Sequence, residues 1–101
     1  MRRSLVAMLV GAMGLSLAAP SFGAEVDRRQ RRQEQRIKEG ERTGKLTPTQ
    51  NAQLQSEHRA IRKQINGERA ANGGHLTRAE RRQVNHEQNQ ESRQIAEDKH
   101  E

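Results

Sequence analysis

The amino-acid sequence predicts an all-α protein of three helices, over about residues 26–39, 48–66 and 78–98, and three observations carry that prediction. Val26 and Ile37, Leu54 and Ile65, and Val84 and Ile95 are each 11 residues apart, close to three helical turns. Two stretches carry the signature of a helix start. No segment shows the alternation of apolar and polar residues that a strand requires.

The first predicted helix, 26–39, has Val26 and Ile37 on one stripe and a solvent-side Glu34–Lys38 pair at i,i+4. The second opens at Thr47-Pro48-Thr49-Gln50. There the Thr47 hydroxyl can cap free amides, Pro48 lacks the N–H that would go unpaired, and Gln50 can reach back to the cap. Leu54, Ile61 and Ile65 form its stripe, and Asn66-Gly67 is its predicted stop. The third opens at Thr77-Arg78-Ala79-Glu80, a capping box whose Glu80 carboxylate also suits the positive helix end. Val84 and Ile95 form its stripe. Gly44 and Gly73-Gly74 break the chain before the two caps.

The last two helices are copies of one unit. With a 30-residue offset, Gly44-Lys45-Leu46-Thr47 aligns with Gly74-His75-Leu76-Thr77, and Gln53, Leu54, Glu57 and Ile65 align with Gln83, Val84, Glu87 and Ile95. A two-fold helical repeat follows.

Residues 1–24 are predicted to be a secretory signal peptide: Arg2 and Arg3, an apolar run from Leu5 to Ala19, then the small-residue exit Pro20 to Ala24. The apolar run is 15 residues, short of the ~20 a transmembrane helix needs. Cleavage after Ala24 or Gly23 would leave a basic helical repeat region, 25–101, free in a periplasm or outside the cell. Removing Arg2 and Arg3 lowers the net charge from +6 to +4.

That region holds nine large aliphatics (Val, Ile and Leu) and no aromatic residue, which places it in the range of partly disordered chains. Cysteine, the usual staple of small secreted domains, is absent. The thin core predicts helices that close alone or only on association. The narrow stripe of Leu54, Ile61, Ile65, Val84 and Ile95 is accordingly read as an interaction seam for a protein partner or a second copy.

Catalytic residues, metal ligands and cofactors are not predicted. No Gly-x-Ser-x-Gly or phosphate-cradling loop occurs, and the carboxylates sit in charged, wet contexts. His58, His75, His86 and His100 have no i,i+4 histidine and are expected at the surface. The stretch around Gly44 faintly matches a calcium-binding loop, with Gln50 where a bidentate Glu is needed; in the second copy Arg69, Ala71 and Gly73 replace oxygen donors. The basic patch Arg28, Arg29, Arg31, Arg32 and Arg36 is the remaining charged feature. Export and the lack of stacking aromatics disfavour nucleic acid, leaving a solvated helix face or an anionic lipid, lipopolysaccharide or polymer as its partner.

Leu46-Thr47-Pro48-Thr49-Gln50 spells LTxxQ, and Leu76-Thr77-Arg78-Ala79-Glu80 nearly repeats it. These two stretches resemble the motif of the LTxxQ group of small periplasmic stress proteins, which includes all-helical, cradle-shaped chaperones. The whole region is similar to uncharacterised small exported proteobacterial proteins with paired G-x-L-T-x-x-E units. The first resemblance implies a helical protein that holds unfolded clients on a concave surface. Members of that group have longer helices, more Met and aromatic contact residues, and motifs set further apart; a capping box preceded by a leucine also accounts for the letters. The sequence therefore predicts an exported, non-enzymatic interaction protein of the client-holding or envelope-stress kind. The alternative is a basic binder of anionic surfaces.

Overall fold

The computed structural model describes residues 22–101, so most of the predicted leader lies outside the described residues. Three helices follow one another: α1 Phe22–Thr43, α2 Pro48–Ala71 and α3 Arg78–Lys99. Each packs against both others. One end of the bundle gathers Val26, Ile65, Leu76 and Val84, with Ile61 packed partly buried against them. The other gathers Ile37, Leu46, Leu54 and Ile95. The start of α1 thus meets the end of α2 and the start of α3, which makes the topology up-down-up with α1 and α3 parallel.

Both capping boxes form. The Gln50 amide donates to Thr47 Oγ1 at 3.1 Å, and the Thr47 amide donates to Gln50 Oε1 at 3.0 Å. Thr77 and Glu80 repeat the pair at 3.1 and 2.8 Å. The residue before each cap does a second job. Leu46 plugs one end of the bundle and Leu76 the other, both buried. Each Leu-Thr unit therefore closes a core end and starts a helix in two consecutive positions.

The helices run further than the sequence predicts. Asn66-Gly67 does not stop α2; the stop falls at Asn72–Gly74, where Gly73 has φ +67° and the Gly74 amide bonds to Arg69 O at 2.7 Å. A left-handed residue closing a six-to-one bond of this kind ends a helix firmly. The extra turn is anchored by Arg69, whose guanidinium reaches Asp27 Oδ1 at 2.9 Å and Gly23 O at 3.1 Å. At the other end α1 continues through Gly40. A Cβ there would lie 2.6 Å from Leu46 Cγ and Cδ1, so the missing side chain is what lets the Leu46 plug seat against α1.

Two helical glycines, Gly40 and Gly67, should therefore respond to alanine with opposite sign. At Gly67 a Cβ meets nothing within 4 Å, so Gly67→Ala should stabilise by about 0.5–1 kcal/mol through helix propensity. Gly40→Ala gains the same propensity but displaces Leu46, and overpacking of about 1–3 kcal/mol wins. Urea denaturation followed by circular dichroism reads both.

Candidate functional site

Between the two apolar ends the bundle is polar. On each helix the inward residues follow a 4-3-4 spacing, Val26-Gln30-Gln33-Ile37, Leu54-His58-Ile61-Ile65 and Val84-Gln88-Glu91-Ile95, and most of the middle positions are hydrophilic. His58 and Glu91 are 1% and 3% exposed. His58 Nδ1 lies 3.1 Å from Glu91 Oε1, and because a carboxylate oxygen only accepts, that nitrogen is the donor. Gln33 Nε2 donates to Gln88 O at 2.7 Å. Gln88 Nε2 donates to Val26 O at 3.2 Å and to Gln30 Oε1 at 3.1 Å. Gln30 Nε2, Gln33 Oε1, Gln88 Oε1 and Glu91 Oε2 are buried with no protein hydrogen-bond partner.

One sequence expectation is corrected here. His58 is not at the surface; its position four residues after Leu54 puts it on the inward stripe. The residues of the predicted interaction seam lie inside the chain, Ile65 with Val84 at one end of the bundle and Leu54 with Ile95 at the other, all four buried. Ile61 alone of the five stays partly exposed. A stripe this narrow is enough for three slender helices to bury, because polar residues fill the layers between.

The surface divides into three grooves of different charge. The α1–α2 groove is neutralised by cross-helix pairs, Asp27–Arg69 at 2.9 Å and Glu34–Arg62 at 4.0 Å. The α1–α3 groove is basic: Arg29, Arg32 and Arg36 line it, with Gln33, Ser92 and Glu25. Arg36 reaches Ser92 Oγ at 2.9 Å and Glu101 at 3.1 Å, and Arg29 donates to Asn89. Burial first, and then the charge of Arg32, holds the Arg29 guanidinium below its ordinary pKa, against an opposing pull from Glu25. The predicted basic patch is thereby split. Arg31 faces the α1–α2 side beside Asp27, Glu34 and Arg62, while Arg28 pairs with Glu25 at 2.9 Å.

The α2–α3 groove, on the side away from α1, is acidic. Glu57, Glu87 and Glu91 line it around Ala60 and Ile61. Burial pushes the Glu57 carboxyl up, with Glu91 and then Asp98 adding to it. Glu68 is likewise pushed up by burial and by Glu80, with a hydrogen bond from Gln64 opposing. Among the described residues no three His, Asp or Glu side chains converge as metal ligands would. Nor is any described helix long and apolar enough to cross a membrane.

The chain matches no protein-family model, no curated protein and no solved structure. What the fold and the grooves define is a class, a charge-segregated three-helix bundle with a polar centre.

Removing one member of the central pair should be costly. His58→Ala leaves Glu91 buried without its donor, an expected loss of about 3–5 kcal/mol in chemical denaturation. The double change His58→Leu/Glu91→Leu removes both polar groups and should retain much more of the stability, a non-additivity that a double-mutant cycle reads directly. A raised carboxyl pKa means that the folded state keeps its proton to higher pH than the unfolded state. The unfavourable contribution of Glu57 is thus present at neutral pH and is relieved as pH falls through its raised value. Glu57→Gln should stabilise slightly at pH 7 and flatten that acid-side rise in a melting series against pH.

Proposed function

We propose that this chain is an exported, non-enzymatic interaction protein that binds anionic surfaces or polymers, such as lipid or lipopolysaccharide headgroups, through the arginine row of α1. The single observation that supports this most is the alignment of Arg29, Arg32 and Arg36 along one groove. From α3 the groove is lined by Ser92, and Arg29 is held below its ordinary pKa by burial first and then by the charge of Arg32, with Glu25 opposing; Glu101 reaches Arg36 at the far end. An incoming phosphate or carboxylate relieves the repulsion between Arg29 and Arg32. Export, as read from residues 1–24, supplies the compartment in which such surfaces occur.

Client holding of the LTxxQ kind draws less support. It requires apolar surface, and the aliphatics that were its candidates pack inside the bundle, with Ile61 alone partly exposed. The two Leu-Thr units are accounted for by plugging and capping.

Binding to vesicles that contain anionic lipid, titrated across a salt series, tests the proposal. Affinity should fall steeply with salt, and zwitterionic vesicles should not bind. Arg29→Gln/Arg32→Gln should lose about 1 kcal/mol per arginine, roughly 30-fold for the pair. Arg31→Gln, on the other flank, should lose less. Salt-insensitive binding, or equal losses at all three arginines, would contradict the assignment.

A further inference from the structure

Across α3 from the basic groove, the α2–α3 groove carries a line of carboxylates the length of the bundle. Glu80 and Glu68 stand at one end, Glu87 follows, then Glu91 with Glu57, then Asp98. From Glu80 to Asp98 the line runs about 27 Å along α3. It is more than a surface cluster. Glu91 is 3% exposed and lines the groove, and its Oε2 has no hydrogen-bond partner. Glu87 Oε1 and Glu68 Oε1 are buried and unpartnered as well. Ala60 and the half-buried Ile61 give the groove an apolar strip. A buried carboxylate oxygen left without a donor asks for one, and no converging metal ligands occur among the described residues. A groove of this kind suits a helix carrying ammonium and guanidinium groups on long aliphatic stems, which would cover Ile61 while their heads meet the acids.

This chain itself presents such a helix. On α1 the inward residues are Val26, Gln30, Gln33, Ile37 and Gly40. The outward ones, Arg28, Arg31, Gln35, Lys38 and Arg42, follow the complementary 3-4-3-4 spacing along the opposite ridge. The ridge is about 21 Å long. Lys38 and Arg42 are 66% and 73% exposed, and Arg31 is exposed too. Their partners are carboxylates on the same helix, Glu25 for Arg28, Glu34 for Lys38 and Glu39 for Arg42. Exposed pairs of that kind contribute little and are readily exchanged.

We propose that the acidic α2–α3 groove is a docking site for the α1 ridge of a second copy of this chain. Ridge and groove lie on opposite sides of the bundle, so the contact is head-to-tail, and each docked copy leaves a free ridge and a free groove for another. This inference rests on the reading of the chain as an interaction protein, but it uses a different surface from the arginine row that meets anions.

Sedimentation velocity of the chain, as recovered from cells expressing the full sequence, tests it. At low salt the average mass should grow with concentration past that of a dimer, and at high salt it should return to that of a monomer. Glu57→Lys/Glu87→Lys should remain monomeric, as should Arg31→Glu/Lys38→Glu, with helicity by circular dichroism unchanged in both. Glu57→Lys alone serves if the double groove variant loses helicity. Mixed together, the two variants should form one-to-one dimers and nothing larger, because one sound ridge and one sound groove remain. A wild-type chain that is monomeric at low salt overturns the inference. So does a groove variant that assembles like wild type, or a mixture that stays monomeric. The groove variant keeps its arginine row, so its binding to anionic vesicles reports on that reading separately.

Discussion

The structure depends on a buried polar layer between two small apolar plugs. With only eight buried aliphatics among the described residues, the bundle has little apolar surface to specify how its helices pair. The hydrogen bonds of the middle layer supply the specification. Gln33 and Gln88 tie α1 to α3 through backbone carbonyls, Gln88 to Val26 O and Gln33 to Gln88 O, and those bonds form only when the two helices are parallel and in one register. His58 and Glu91 tie α2 to α3 in the same layer. Sliding any helix by one turn would place a charged or amide group against an aliphatic plug and strand it without a partner.

Everything outside the layer follows from that arrangement. With the aliphatics taken up inside, the outer surface is left to arginine, glutamate, glutamine and asparagine. The register then decides which charges share a groove. Aspartate and glutamate of α1 meet arginines of α2, α1 arginines line the α3 side beside serine and asparagine, and the carboxylates of α2 and α3 are left facing each other. What the outer surface presents is therefore a charge pattern more than an apolar face.

Much of the fold was legible in the sequence. The 11-residue spacings located the three stripes, and the two Thr-x-x-Gln/Glu boxes placed the starts of α2 and α3 at the residues where they occur. Helix ends were harder. Asn66-Gly67 has stop chemistry, but the Arg69 contacts with Asp27 and Gly23, 42 and 46 positions away in sequence, carry the helix past it. The polar layer was missed because Gln, Glu and His are common throughout this chain, so those at Gln30, Gln33, His58, Gln88 and Glu91 do not stand out. The signal was positional: the same 4-3-4 spacing recurs in all three helices. The arginine patch read as one feature because its members are adjacent in sequence, whereas at 100° per residue Arg31 turns away from Arg29, Arg32 and Arg36.

The most direct test of the central layer is hydrogen exchange at the side-chain amides of Gln33 and Gln88, compared by NMR with those of the exposed Gln53 and Gln90. Buried donors bonded to Gln88 O and Val26 O should exchange only as the whole bundle opens, far more slowly than the exposed pair. Exchange at Gln33 and Gln88 as fast as at Gln53 would mean that the layer is open to water, and the account of how this bundle is specified would be wrong.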